Sequence, residues 1–387
     1  MLGWLVFRPR NWESRSDGRR QVAYSAEMQI NTSTKPLPRL VVGLGAAALL
    51  AGLALQAPAE AATRAGSPAL VFASFNVCKT DCAAPAPAWD IRRERVARTI
   101  VESSVDVVGL QEATHWPTTN TKTQYLDIQK LTAPYGFAAP AYTADSDECK
   151  WTAENPKPCT HTTGMLFKTS TVQQVTTPNG TPSAGTVPMS RIAQGLTADA
   201  APRKVVWAYL KGLNGAGPFL ALSVHVSTFK DPANEASRIA FGAALDGWVQ
   251  TLNDAHGMSG VPVVLMADLN SYRKRQPQGV QTTLTNAGWA DAANAPVKRN
   301  VEYSTINYNP LLLAEQGFPK KPYKFKTSKK NPVLDATRID YIMTKGTGVV
   351  ATDYEVVIRL NPDGTFITDY QGSDHQMVRA TIEIPAG

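Results

Sequence analysis

Between Ser74 and His375 lie six short pieces whose side chains could hold a cation or move a proton. They are SFNV (Ser74–Val77), GLQEA (Gly109–Ala113), SVHVS (Ser223–Ser227), ADLNS (Ala267–Ser271), RIDYI (Arg338–Ile342) and GSDH (Gly372–His375). Each abuts an apolar run of strand length. Strand ends deliver side chains to one rim of a sheet with little positional slack, so groups far apart in sequence can converge there. Asn76, Glu112, His225, Asp268, Asn270, Asp340, Asp374 and His375 together read as an acidic, histidine-bearing site of the kind that hydrolyses phosphate esters with a divalent ion.

Each residue type has a physical reason to be there. A carboxylate at a buried strand end is costly unless it is paired or bound to a cation, which singles out Glu112 after VDVVGL (Val105–Leu110). His375 follows Asp374 and precedes QMVRATIEI. With Asp340 at the start of the IDYIM strand it forms a His–Asp pair, in which the carboxylate fixes the tautomer and raises imidazole basicity. In ADLN, side chains at i and i+2 of an extended segment share a side, so Asp268 and Asn270 can address one phosphate. The amide would donate to a non-bridging oxygen, and Asp268 would orient the attacking water or hold a second cation. His115, His161 and His256 have no such context and read as surface or loop residues.

The elements that must position these groups are visible as apolar runs at Ala69–Val77, Val105–Leu110, Gly164–Phe167, Val205–Leu210, Phe219–Val226, Val261–Ala267, Ile339–Thr344 and Val378–Ile384. Helical patterns lie between several of them. Ile91–Ser103 sets Val96, Thr99, Ile100 and Ser103 against a charged face of Arg92, Arg93, Glu94 and Arg95. Pro232–Asn253 sets Ile239, Ala243, Trp248, Val249 and Leu252 on one face, with Pro232 suited to a helix start. Gln278–Ala287 is a shorter third helix. Strands alternating with helices, then strands in succession, predict two packed sheets with helices outside.

The set of pieces and its order resemble the endonuclease/exonuclease/phosphatase superfamily, which includes DNase I, exonuclease III, neutral sphingomyelinases and inositol-polyphosphate phosphatases. The resemblance spans Leu70 to Pro385. It departs at Ala267, where the family usually has Gly before the Asp of its GDxN motif. The resemblance implies an α/β fold, a four-layer sandwich of two mixed β-sheets face to face with helices outside and the site at one end. It implies Glu112 as the principal ligand of Mg²⁺ (or Mn²⁺ or Ca²⁺), with Asn76 and Asp374 completing the neighbourhood of one or two ions. It further implies that His225 contacts the phosphate and can protonate the leaving oxygen, as in the two-histidine branches. Exonuclease III-like members are described as using a Tyr for that role. The implied reaction is in-line attack of activated water on a phosphodiester. Which imidazole is acid and which base stays open.

Two basic stretches bear on substrate. Arg273, Lys274 and Arg275 follow ADLNS and would lie beside the scissile phosphate, and Lys320–Lys330 interleaves lysines with Tyr323 and Phe325. Cations for phosphates with aromatics for bases fit a nucleic-acid partner, so a secreted nuclease is expected. An anionic or choline phospholipid is the alternative, for which Leu311–Leu313 is the one segment suited to touch a bilayer. A non-catalytic binding module on the same fold would not need so many like charges in one place. No feature specifies an obligate protein partner, and a monomer is expected.

The N-terminus sets the compartment. Lys35 and Arg39 precede the apolar run Leu40–Leu55 and the small-residue stretch Ala57–Ala62, the pattern of a secretory signal peptide. Residues 28–62 are read as that peptide, 1–27 as an extension from a start codon assigned too early, and 63–387 as one catalytic domain. Loss of residues 1–62 would remove seven basic and four acidic side chains, lowering the net charge from +7 to +4. That balance suits a polyanionic partner without demanding one. In an exported chain the four cysteines read as Cys78–Cys82 and Cys149–Cys159 disulfides, in preference to a zinc site.

Overall fold

Residues along the central strands alternate between two buried faces, because each sheet is covered on both sides. The computed structural model describes residues 67–80, 82, 87–114, 123–141, 162–229, 231–271, 279–306, 320–322 and 338–387, all within one compact unit. One seven-stranded sheet has the order β11 (Val297–Arg299), β13 (Val350–Val356), β14 (Val378–Glu383), β1 (Ala69–Asn76), β2 (Val107–Gln111), β4 (Gly164–Lys168) and β3 (Phe137–Ala138). The other runs β10 (Ala290–Asp291), β12 (Asp340–Lys345), β9 (Val263–Asp268), β8 (Pro218–His225), β7 (Lys204–Gly212) and β5 (Val172–Gln174), with β6 (Ala184–Pro188) also on β7. Both are mixed: β1 and β2 are parallel, as are β8 and β9, while β14 and β12 flank these pairs antiparallel.

Three apolar layers hold the sandwich. Leu70, Phe72, Val264, Met266, Phe219 and Ile342 meet between the sheets. On the outer face of the first sheet, Phe75, Val108 and Leu110 pack under α1 (Trp89–Glu102) and α2 (Gln124–Thr132). On the outer face of the second, Leu222, Leu265 and Tyr341 pack under α3 (Pro232–Ala255) and α4 (Val280–Asn286). The predicted four-layer α/β sandwich is the observed one. Ala267, at the departure from the family pattern, sits fully buried in the layer beneath α3, so its methyl group is accommodated by packing.

The inter-sheet row turns polar at one end, and that turn creates the site. Along β1 the inward residues are Leu70, Phe72, then Ser74 and Asn76; along β8, Phe219 and Ala221, then Ser223 and His225; along β9, Val264 and Met266, then Asp268. Antiparallel β12 begins at the same end with Asp340. Gln111 bridges the two sheets there, donating to Ser223 Oγ (3.3 Å) and Met266 O (3.4 Å) while accepting from Ser74 Oγ (3.3 Å). Gly109, on the same face of β2, allows this approach: a Cβ there would stand 2.7 Å from Met266 Cβ.

The helix faces differ from expectation. Arg92, predicted on the charged face of α1, is fully buried on the stripe formed with Trp89, Val96 and Ile100. In α3 the buried face is Glu235, Arg238, Phe241, Leu245 and Val249, while Ala243 is exposed and Ile239 and Trp248 only half-buried. α2, β3, β5, β6, β10, β11 and β13 add to the runs read from sequence. Residues 1–66, the Cys149–Cys159 pair, His115, His161, Arg273, Lys274, Arg275, Leu311–Leu313 and residues 323–330 lie outside the described residues.

Candidate active site

Register fixes the first contacts. Asp268 is paired with His225 across the parallel β8–β9 ladder and with Asp340 across β9–β12, so three strand ends present their side chains side by side. Asn76, arriving from the opposing sheet, donates from Nδ2 to Asp268 Oδ2 at 2.9 Å. His375 Nδ1 lies 3.0 and 3.2 Å from the two Asp340 oxygens, which leaves Nε2 turned toward Asp268, 4.0 Å from Oδ2. His225 Nε2 is 3.6 Å from the same oxygen, and neither of its ring nitrogens has a hydrogen-bond partner among the described residues.

Asn270 folds back so that its N–H donates to Asp268 Oδ1 (2.9 Å) and Nδ2 donates to Val226 O (3.3 Å). Glu112, half-buried just past β2, accepts the Lys79 N–H at 3.0 Å. Asp374 accepts from Ser373 Oγ (3.3 Å), and that hydroxyl lies 2.7 Å from Asn76 O. Cys78, Glu112 and Asn270 all have φ between 45° and 57° without being glycine. Left-handed backbone of this kind costs about 1–3 kcal/mol per residue and survives where surrounding structure enforces it. Here it marks the exits of three site strands.

Burial and neighbouring charge give the groups different proton affinities. Burial pushes Asp268 up to about 7, helped by Asp340 and opposed by His375 and the Asn76 and Asn270 hydrogen bonds. Asp374 is also raised, by burial and by Glu112. His225 is held well below its ordinary value by burial and by the cations Arg203, His375 and Lys79. Burial would lower His375 as well, but Asp340, Asp374 and Asp268 outweigh it and hold the imidazole well above its ordinary value. The two imidazoles are thus biased in opposite directions, His225 toward the neutral form and His375 toward the charged one.

All eight expected site residues therefore meet at one end of the sandwich. Glu112, Asp374 and the Asn76 amide offer only oxygen, the donor type that Mg²⁺, Mn²⁺ and Ca²⁺ prefer. A carboxylate destabilised by burial and by another carboxylate is one that a cation would relieve. A second group could also hold a cation: ligand atoms of Asp268, Asp340 and His375 lie within 4.8 Å of one another. Cys78 and Cys82 stand similarly close to Asp374, but their sulfurs form a disulfide, as expected from sequence.

Sequence reasoning missed several residues that shape the site. Thr305 Oγ1 accepts the Ile339 and Asp340 N–H groups while its carbonyl accepts the Gln376 N–H, tying the Asp340 and His375 segments together. Lys79, exposed at the mouth, and Arg203, whose NH1 donates to Val226 O (3.0 Å), put positive charge near His225. His256, read as a surface or loop residue, caps the end of α3 with its ring tilted against Trp207, the centroids 5.0 Å apart.

The sequence model of the Endonuclease/Exonuclease/phosphatase family matches residues 73–375, from β1 through the last histidine. The chain belongs to that family. The family comprises phosphoester hydrolases, typically divalent-metal dependent. Solved structures of the same fold include an endonuclease/exonuclease/phosphatase family protein from Bacteroides thetaiotaomicron, with TM-score 0.54 and 16% identity, covering 82% of this chain and 98% of that one. A family member from Bacteroides vulgatus has TM-score 0.53 and 17% identity, covering 82% and 99%. The mannosyl-6-phosphatase of Bacteroides thetaiotaomicron has TM-score 0.51 and 14% identity, covering 81% and 99%. At such identities the likeness is one of fold. No curated protein matches the chain in sequence.

Proposed function

We propose that this family member is a divalent-metal-dependent phosphodiesterase acting on nucleic acid by in-line attack of water. The observation that carries the hydrolytic reading is the buried set Asp268, Asp340, His225 and His375 in contact with Asn76 and beside Glu112 and Asp374. Glu112, Asp374 and Asn76 would hold the ion. When bound, such an ion acidifies water and offsets charge developing on the phosphoryl oxygens.

The chain's own groups would do the rest. Asp340 orients His375 so that Nε2 faces the reacting centre, and His225 offers a neutral imidazole beside it. A charged and a neutral imidazole at one phosphate supply a proton donor and a proton acceptor. The Asn270 amide, beside Asp268 at the end of β9, would donate to a non-bridging oxygen. The basic balance of the chain, with Lys79 and Arg203 near the mouth, supports a polyanionic substrate. The Cys78–Cys82 disulfide and the N-terminal leader pattern support export to an oxidising compartment.

The test is an activity panel with purified protein and Mg²⁺: plasmid DNA, RNA, sphingomyelin vesicles and a soluble phosphomonoester, each with and without EDTA. EDTA-sensitive cleavage of DNA or RNA is expected. Preferential hydrolysis of vesicles would move the substrate to phospholipid, and no EDTA-sensitive turnover on any arm would reject the hydrolase.

A further inference from the structure

Arg92 is fully buried, yet it sits on none of the strand ends that form the site. A guanidinium has five N–H donors in a rigid fork, and all five are used on backbone carbonyls. Nε donates to Pro87 O (2.9 Å), NH1 to Val77 O (2.8 Å) and Gly372 O (2.9 Å), and NH2 to Cys78 O and Lys79 O (both 3.0 Å).

Pro87 precedes α1 itself; the other four acceptors lie in the segment after Asn76 and the segment before Asp374. Val77, Cys78 and Lys79 directly follow Asn76; the Cys78 N–H donates to Asn76 Oδ1 at 3.0 Å and the Lys79 N–H to Glu112 Oε2 at 3.0 Å. Gly372 precedes Ser373 and Asp374, and the chain there is pressed onto α1: a Cβ on Gly372 would lie 2.8 Å from Val96 N. One side chain from an outer helix thus fastens the exit of β1 to the approach to β14.

We propose that Arg92 is a positioning residue for the cation, its bonds to Val77, Cys78, Lys79 and Gly372 setting the spacing of Asn76, Glu112 and Asp374 at which a divalent ion binds. The inference rests on the metal-dependent reading above and adds to it the part that makes three separate segments one ligand set. A lysine has three donors on one nitrogen and cannot span five carbonyls, so Arg92→Lys keeps the charge and loses the span.

The experiment titrates Mn²⁺ into EDTA-stripped native protein, Arg92→Lys, Arg92→Gln and Arg238→Lys, with binding read from loss of the free-ion EPR signal. Circular dichroism of the same samples reports folding. Both Arg92 variants are expected to bind Mn²⁺ about ten- to a hundredfold more weakly, the range for residues supporting metal ligands. Arg238→Lys, the same substitution at a buried arginine that holds the loops after β8 and β9 and not the Asn76 and Asp374 segments, should keep near-native affinity, and turnover of Arg92→Lys should recover as Mn²⁺ is raised. Native affinity in a folded Arg92→Lys overturns the inference, as does equal weakening in Arg238→Lys. Loss of the fold in both Arg92 variants overturns it too, since the arginine would then be holding the domain rather than the ligands. No Mn²⁺ uptake by the native protein would sink the metal reading itself; native uptake with unweakened Arg92 variants sinks this inference alone.

Discussion

Two buried arginines, one from each outer helix layer, grip the strand exits on opposite halves of the site, and they do so differently. Arg92 of α1 donates to five carbonyls and lies over the Trp89 ring. Arg238 of α3 donates through NH1 to Ser227 O (2.7 Å) and Phe229 O (2.8 Å), and through NH2 to Glu235 Oε2 (2.6 Å). The second Glu235 oxygen accepts from Ser271 Oγ at 3.3 Å, so the loops after β8 and β9 are held together. The charge of Arg238 is neutralised in place. That of Arg92 is left to the acidic side chains above it: burial lowers its pKa to about 10, and Asp374 and Glu112 hold it from falling further. The difference suits the two halves. The Glu112–Asp374 side gathers negative charge, and a cation below it offsets that repulsion before any metal arrives. The histidine side already has Arg203, Lys79 and charged His375 acting on His225, so a neutralised pair adds nothing to that field.

The largest expected effect separates the halves by chemistry. His375→Ala removes the imidazole oriented by Asp340 and should lower turnover by about 10²–10⁴, with no recovery at high metal. Glu112→Gln should lower turnover most at low Mg²⁺ and regain much of it as Mg²⁺ rises. Metal-activation curves for the two variants check this; identical curves would mean the halves do not divide ion binding from proton transfer.

Next comes stability. Glu235→Ala strands the Arg238 guanidinium in the interior, and removing one partner of a buried ion pair costs about 3–5 kcal/mol. Urea melts should show a loss in that range. A change near zero would mean that Arg238 is sustained by its carbonyls alone, as Arg92 is, and the contrast between the two would collapse.

A pH effect follows from Asp268. Its folded-state value, about 7, lies above the unfolded carboxylate's 3.8. The folded state therefore holds a proton that the unfolded state has released, and the stability so gained is present below pH 3.8 and lost as pH rises through about 7. In EDTA, native protein should lose Tm between pH 5 and pH 8 relative to Asp268→Asn. Parallel Tm profiles would refute the assignment.

The same contrast shows what could be read from sequence. The strands that end in Asn76, His225 and Asp268, and the one that begins at Asp340, are largely apolar runs, because sheets buried on both faces need them, and a polar residue at the end of such a run stands out. β13 was not legible: VATDYEV carries Thr, Asp and Glu, and its acids pair with Arg299, Arg359 and Arg379 across the sheet surface. Arg92 was misread because composition assigns Arg to solvent, and Arg238 was not singled out at all. Position was the better guide. Arg92 falls at helical spacing between Trp89 and Val96, and Arg238 between Glu235 and Phe241, each on the buried stripe of its helix. A charged residue on an otherwise core-facing stripe is the signal that would have found both. The carbonyls they bind come from chain exits whose paths only the folded structure reveals.

The smallest effect tests how much of the metal half depends on its arginine. The Cys78–Cys82 disulfide closes the turn whose carbonyls bind Arg92, so two restraints act on one short segment. Loop-entropy scaling gives a closure this short about 2 kcal/mol of stabilisation at most. If Arg92 is the dominant restraint, Cys78→Ser combined with Cys82→Ser should lower Tm modestly and weaken Mn²⁺ binding less than Arg92→Lys does. A double-mutant cycle on Mn²⁺ affinity decides the order: strong coupling between the arginine and the cysteine pair is expected because both act through the Cys78 carbonyl. Additive losses would mean that the disulfide and the guanidinium fix different ligands, and that Glu112 and Asp374 are positioned by separate devices.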